Sequence, residues 1–379
     1  MRVGLFTECY RPIRNGVVAS VDALAQAIRA SGHEALCITP NMPGYEEAHE
    51  FVVRMPSLPL PTRTSYRLTL PFVTNERVAH ALARLSVVHA HSPFVTGWMG
   101  ARLARRIRVP LVFTYHTQLE EYAHYFPFES RVTRSAASHL TRRYANGADA
   151  VIVPTEAMER HLRDIGVATR IEVVPSGIDV RLFGAGRRRE DLRRSLGVPA
   201  GARMIVSVGR LGREKNVELT LEAFARLAGP AHLVLVGDGP RREPLERLAQ
   251  REGLAGRTTF AGELDRLALP DVYASADALI FTSTSETQGL VLVEALATGL
   301  PVVAADSPQT RDVLGEFGAV VAPEPAALAA ALERTPPRNL DRARMAHVIA
   351  DRFDGRALAN RVLELYADLT SRPVVRAVS

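Results

Sequence analysis

Lysine is nearly missing from this chain: of its 47 basic residues all but Lys215 are arginine. Cysteine is scarce too. Cys9 and Cys37 are the whole complement, too few for a disulfide framework or a cysteine-based zinc site. They read as small buried residues in a reducing cytoplasm. No apolar run reaches the ~18–20 residues that a bilayer span requires. The opening Met1-Arg2-Val3-Gly4-Leu5-Phe6-Thr7 turns polar too soon for a signal peptide and reads as a first strand. Tandem repeats and low-complexity segments are absent. What is left is a chain of 379 residues, 47% hydrophobic and 23% charged, the balance of a globular enzyme with two domains.

The lone lysine is informative because of where it stands. A composition that substitutes arginine wherever it serves keeps lysine where a compact point charge is needed rather than a flat fork of donors. Lys215 closes the run Val208-Gly209-Arg210-Leu211-Gly212-Arg213-Glu214-Lys215, directly after an apolar strand. Arg210 and Lys215, five positions apart at a strand's carboxyl end, suit a clamp on a diphosphate. The net charge of +6 is also placed unevenly. Residues 1–170 carry 20 basic and 14 acidic side chains, and residues 171–379 carry 27 of each. A basic first half fits an anionic partner, either nucleic acid or a membrane surface, and equally an ordinary solvated face.

Short β-branched runs alternate with longer amphipathic stretches, the pattern of parallel α/β folds. Strands are expected at Arg2–Phe6, Glu34–Thr39, Val87–Ala90, Leu111–Tyr115 and Ala150–Pro154, with a first helix over Gly16–Ser31. A second series follows at Met204–Gly209, His232–Gly237, Thr258–Gly262, Ala278–Thr282 and Pro301–Ala304. The expected domains are 1–168, 169–350 and a terminal segment 351–379 whose helix crosses back to the first. The charged run Arg187–Arg194 reads as an exposed loop and helix start. Two doubly wound domains facing a cleft are the natural place for a nucleotide and a second substrate.

The richest segment is Ser285-Glu286-Thr287-Gln288-Gly289-Leu290-Val291-Leu292-Val293-Glu294. A helix starting near Gln288 presents the amides of Gln288, Gly289 and Leu290 to phosphate oxygens. Glu286 reaches hydroxyls beyond the phosphates, and Glu294 suits a ribose diol. Gly237-Asp238-Gly239-Pro240 is a further strand-end loop, but position 242 is arginine, so it is not a dinucleotide fingerprint. Gly209–Lys215 likewise lacks the Gly-Lys-Ser/Thr of a P-loop. Asn15-Gly16-Val17 opens the first helix.

Taken together, Arg210-x4-Lys215, Glu286-x7-Glu294 and the Gly16 loop resemble the retaining family 4 glycosyltransferases. The resemblance runs from Thr7-Glu8-Cys9-Tyr10-x-Pro12 to Val302-Val303. It implies the GT-B fold, α/β with two doubly wound Rossmann-like domains. Thr114-Tyr115-His116-Thr117-Gln118-Leu119-Glu120-Glu121-Tyr122-Ala123-His124-Tyr125 is similar to the branch that glycosylates diacylglycerol and to relatives acting on phosphatidylinositol. By that resemblance Arg210 and Lys215 hold the donor diphosphate, Gly16 offers it an amide, Glu286 binds the transferred sugar and Glu294 the ribose. His116 lies at the sugar's reactive face. Gly237, Gln288, Gly289 and Leu290 complete the donor site, and base selection falls near Glu263-Leu264. Glu8, Tyr10, Tyr122 and Tyr125 are the acceptor candidates, although the branch usually has aspartate at the position of Glu8. His89 and His91 read as structural. No Asp-x-Asp metal anchor occurs, so no metal or other cofactor is expected, the nucleotide-sugar being a co-substrate.

Phe126–Asn146 is the best acceptor-side candidate. Val132, Ala136, Leu140 and Tyr144 recur every four residues, with Arg131, Arg134, Arg142 and Arg143 largely elsewhere around the helix. That pattern fits a helix resting on an anionic bilayer, and equally one packed on its own domain. The favoured expectation is a cytoplasmic enzyme, peripheral on the inner face of the cell membrane, moving glucose from UDP-glucose to diacylglycerol. The alternatives are mannose transfer from GDP-mannose to phosphatidylinositol or a soluble sugar, and a non-catalytic nucleotide-sugar or nucleic-acid binder. No nucleic-acid motif interleaves aromatics with the charges.

Overall fold

A computed structural model describes residues 1–60, 66–71, 76–120, 131–335 and 342–372. The chain forms two compact units, one of Met1–Gly177 with Gly355–Ser379 and one of Ile178–Asp354. The strands of the first unit are β1 (Arg2–Phe6), β2 (Glu34–Pro40), β3 (Val52–Met55), β4 (Ser57–Pro59), β5 (Arg67–Thr69), β6 (Val87–Ala90), β7 (Leu111–Thr114), β8 (Ala150–Val153) and β9 (Ile171–Val173). Seven of them form a parallel sheet in the order β3-β2-β1-β6-β7-β8-β9, and β4 pairs with β5 in an antiparallel hairpin. β6, β7 and β8 are buried throughout, which is why they read as unbroken apolar runs.

Helix Gly16–Ala30 begins where Asn15 accepts a hydrogen bond from the Val18 amide at 2.9 Å. Its stripe of Val21, Ala25 and Ile28 joins Leu358, Val362 and Tyr366 of helix Gly355–Ser371 in one core. Each large aliphatic side chain fully buried there contributes about 1.5–3 kcal/mol. The C-terminal helix is thereby part of the first unit.

The boundary differs from the expected 168/169. β9 pairs in parallel with β8, matching Val151 with Ile171 and Val153 with Val173. A short β-branched run has the same letters whether it opens a new sheet or closes the old one. Only the pairing of its backbone groups assigns it, and here that extends the first unit to Gly177. At Gly177 the two chain crossings abut, since a Cβ there would stand 2.4 Å from the Gly355 Cα.

The second unit contains β10 (Arg203–Val208), β11 (Ala231–Val236), β12 (Thr258–Gly262), β13 (Ala278–Phe281), β14 (Val302–Ala305) and β15 (Gly318–Val321). All pair in parallel, in the order β12-β11-β10-β13-β14-β15. The run Arg187–Arg194, expected from its charge to be an exposed loop and helix start, is not wholly exposed. Arg193 in helix Glu190–Ser195 is only 4% exposed, donating to the Ser275 carbonyl at 2.7 Å and the Ala202 carbonyl at 2.6 Å. It also faces Asp277 at 3.2 Å. A guanidinium supplies five donors, so carbonyls and a carboxylate together can satisfy it under the surface.

Gly177→Ala is expected to destabilise the first unit by about 1–3 kcal/mol, because backbone rather than a flexible side chain must move aside. Calorimetric melting of the variant against wild type checks this.

Candidate active site

Parallel α/β sheets open a crevice at the carboxyl ends of the two strands where the strand order reverses, because their loops turn to opposite faces. In the second unit that reversal lies between β10 and β13. The loop after β10 carries Arg210 and Lys215, and the loop after β13 carries Glu286, Gln288 and Gly289. The fold thus brings together residues more than seventy positions apart. Lys215 Nζ is ion-paired with a Glu286 carboxylate oxygen, and both side chains are partly buried. Arg210 faces Glu214 at 3.5 Å, and the Glu214 side chain is 3% exposed. Two cations thus stand among two carboxylates, a charge-balanced arrangement that an arriving diphosphate would have to rearrange.

Three hydroxyls hold the lysine's turn in place. Thr282 donates to the Lys215 and Asn216 carbonyls (3.0 and 2.9 Å), while Ser283 and Ser285 donate to the Glu214 carbonyl (2.9 and 3.3 Å). Asn216 ends the turn in the left-handed region, at φ 50°. The sequence reading overlooked these hydroxyls. Their trace was a Thr-Ser-x-Ser run directly after an apolar strand.

The helix expected to start near Gln288 spans Leu290–Ala297, with Gly289 as its cap at φ 79°. A Cβ at that backbone angle is strained, and no side chain caps the helix. Gln288 is buried. Glu294 differs most from expectation. It is 2% exposed, accepts from the Tyr273 hydroxyl at 3.0 Å and pairs with Arg266 at 3.0 Å. Burial raises its pKa above the ordinary carboxylate value, against the pull of Arg266 and Tyr273. The Gly237 amide donates to the Gly262 carbonyl at 2.8 Å, so it is already committed. Its glycine serves packing, since a Cβ would sit 2.0 Å from the Gly209 carbonyl oxygen. Leu264 packs its side chain on the core of the unit.

In the first unit the reversal lies between β1 and β6. Glu8 and the Gly16 helix follow β1, His91 follows β6, and His116 follows β7. Gly16 is exposed at the first position of its helix. Glu8 accepts from the Thr96 amide at 2.9 Å and so covers the start of helix Val95–Ile107, which has no cap side chain of its own. Burial raises its pKa. Tyr10 is not available to an acceptor: it is 1% exposed, and its hydroxyl donates to Asp22, which also accepts from Arg11. Tyr122 and Tyr125 lie outside the described residues.

His89 and His91 share a strand face, and their ring centroids are 4.2 Å apart. His89 is satisfied at both nitrogens, by Tyr366 (2.5 Å) and Thr114 (2.6 Å), as befits a structural residue. His91 has a different environment. Its Nδ1 lies 2.9 Å from His116 Nε2, with the ring centroids 5.2 Å apart and the planes 24° from parallel. Burial lowers all three pKa values, His116 to about 4 and His89 to about 3, with His91 well below its usual range. At neutral pH His116 is therefore an uncharged imidazole, able to exchange hydrogen bonds but not to neutralise a phosphate.

Helix Arg131–Asn146 is divided in its surroundings. Thr141, Tyr144 and Ala145 are buried, whereas Val132 near its start is 76% exposed. Its open half faces helix Val95–Ile107 across a groove of about 1030 Å³. Arg131 and Arg143 line the groove together with Arg102, Arg105 and Trp98. Arg102 and Arg105 went unnoticed in the sequence, because nothing local connects them with a helix some thirty residues on. No helix among the described residues is long and apolar enough to cross a membrane.

Comparison with known proteins covers the same ground. Residues 14–182 match the family described as Glycosyltransferase Family 4, and residues 188–346 match Glycosyl transferases group 1. The chain is 30% identical to alpha-monoglucosyldiacylglycerol synthase of Streptococcus pneumoniae, over 97% of this chain and 86% of that one. It is 34% identical to a GDP-mannose-dependent alpha-mannosyltransferase of Mycobacterium tuberculosis, over 83% and 81% of the respective chains. Among solved structures it resembles sucrose-phosphate synthase from Thermosynechococcus elongatus, with a TM-score of 0.78 and 23% identity over 98% of this chain and 99% of that one. It also resembles the Anabaena protein HepE in complex with UDP-glucose, with a TM-score of 0.75 and 23% identity over 97% of this chain and 100% of that one. The fold is GT-B.

The buried histidines set a pH dependence of stability. Each is neutral in the fold and protonates near 6.5 when unfolded, so between pH 6.5 and about 4 the unfolded chain binds more protons. Their contribution is full above pH 6.5 and is lost as pH falls through 4. Melting of the first unit should begin to fall below pH 6.5, where carboxylates are still ionised. A midpoint unchanged from pH 7 to 5 would contradict their burial as neutral rings.

Proposed function

Because the chain belongs to glycosyltransferase family 4, we propose that it transfers a hexose from a nucleotide-sugar to a lipid acceptor, with retention of anomeric configuration and without a divalent metal. The donor of choice is UDP-glucose and the acceptor diacylglycerol. The observation that carries this reading is the convergence of Arg210, Lys215, Glu286 and the uncapped start of helix Leu290–Ala297 at one strand-order reversal. Likeness to a monoglucosyldiacylglycerol synthase over nearly the whole chain supports the acceptor class. The 34% identity to a GDP-mannose-dependent enzyme supports a second reading, mannose transfer from GDP-mannose.

The chemistry asked of these residues is electrostatic. As the bond from the anomeric carbon to the diphosphate breaks, negative charge grows on the leaving oxygens, and fixed cations with helix amides stabilise it. The acceptor oxygen bonds to the same face of that carbon, and its proton passes to a phosphate oxygen of the departing nucleotide. Arg210 and Lys215 hold the diphosphate, and Glu286 takes hydroxyls of the sugar. Glu294 meets the ribose by exchanging its contact with Arg266, whose side chain is about half exposed. Neutral His116 acts on the transferred sugar. Positive charge comes from side chains, so activity in EDTA is expected to equal that in buffer alone.

The arginine-lined groove supports a peripheral enzyme that meets its acceptor at an anionic membrane surface on the cytoplasmic face. Val132 and Trp98 give it apolar margins.

The primary assay is transfer of labelled glucose from UDP-glucose to diacylglycerol in mixed micelles, with GDP-mannose and phosphatidylinositol in parallel. Failure of both donors to yield a labelled lipid would overturn the reading. Lys215→Arg should lower kcat/KM by roughly 10–100-fold despite conserving charge, because a guanidinium pairs with Glu286 through two parallel bonds and stays on the carboxylate. Activity within twofold of wild type would show that a point charge is not required. Replacing Arg105 and Arg131 together with glutamine should weaken sedimentation with anionic vesicles while leaving neutral vesicles unaffected. Unchanged sedimentation would remove the groove from membrane attachment.

A further inference from the structure

His89 and His91 lie two residues apart at the end of one strand, yet their surroundings differ. His89 has a partner at each ring nitrogen. His91 is just as deeply buried, but its Nε2 has no hydrogen-bond partner among the described residues. Its Nδ1 is directed at His116, 2.9 Å from Nε2, with the ring planes 24° apart.

Only one proton lies between two neutral imidazoles, so one ring donates and the other accepts. If His116 donated, His91 would carry its own proton on Nε2, a buried N–H with no acceptor among the described residues. If His91 donates, its Nε2 bears only a lone pair. As with backbone groups, a buried N–H lacking an acceptor is rarer than an under-used acceptor, since a lost donor bond costs the full desolvation of the group. We infer that His91 donates its Nδ1 proton to His116 Nε2, and so holds His116 in one orientation with its remaining proton on Nδ1. His91 is thus a positioning residue. The inference deepens the reading in which His116 works at the transferred sugar, and it gives that ring a defined polarity: a proton on Nδ1 and a lone pair on Nε2. Neutrality of both rings in their buried setting is consistent with a single shared proton.

The test begins with the unaltered protein. Labelling its 11 histidines with nitrogen-15 and assigning His116 by its loss in His116→Ala reads the tautomer directly from the two ring-nitrogen shifts. An Nδ1–H, bare-Nε2 pattern is expected, and an Nε2–H pattern would overturn the inference. This readout needs no substrate, so it stands apart from the proposed activity. In the transfer assay His91→Phe should lower kcat about tenfold or more, with the donor KM within about twofold, and shift the His116 ring nitrogens toward a tautomer mixture. His91→Asn keeps an N–H donor near the same place and should restore kcat to within about threefold of wild type. Equal loss in the Phe and Asn variants, or an unshifted His116 spectrum in His91→Phe, would also overturn it. If His116→Ala retained full activity while the tautomer was as expected, the assignment of His116 to the sugar would fall and the hydrogen bond would remain.

Discussion

Reversal of strand order in a parallel sheet is the constraint on which this protein's chemistry depends. Strands covered by helices on both faces leave no open surface at their flanks, and only their carboxyl ends remain free for loops. Where the order turns, between β10 and β13 and again between β1 and β6, adjacent loops leave in opposite directions and the backbone between them is open. Arg210, Lys215 and Glu286 stand at one such opening, and Glu8, His91 and His116 in the segments that follow strands at and beside the other. The apolar cores behind them set the positions of polar groups whose own mutual attractions are weak in water.

The second-unit site is organised as opposed charges held by neutral hydroxyls. Thr282, Ser283 and Ser285 fix the backbone that carries Lys215, and Glu286 holds its ammonium. Fixing the backbone that carries the cation before the substrate arrives confines reorganisation to the side chains that must exchange partners, which is how preorganised electrostatics gains over water. The first unit shows the opposite strategy. Burial strips charge from His89, His91 and His116, and what is left is directional hydrogen bonding.

Much of this was legible in the letters. Apolar runs without alternation marked the central strands of both sheets, and Asn15 marked a helix start. Arg210, Lys215, Glu286 and Gly289 were identifiable because each follows a strand closely, so its place at a carboxyl end follows from local order alone. Tyr10 and Glu294 show the limit. Both stand beside motif residues, yet Tyr10 turns inward to Asp22 and Glu294 to Tyr273 and Arg266. Adjacency along a chain does not determine which way a side chain faces once a helix or turn intervenes.

The sequence by itself determined the order of strands and helices, the doubly wound class and the loops that carry the polar chemistry, because periodicity, capping and glycine angles act within a few residues. Tertiary structure alone decided that β9 closes the first sheet, that Arg102 and Arg105 face Arg131 and Arg143 across a groove, that Arg193 is buried, and that His91 meets His116. Each of these is a contact between segments separated along the chain. Such contacts are fixed by which backbone edge or apolar face is left to be covered when the core closes, and no local periodicity records that choice.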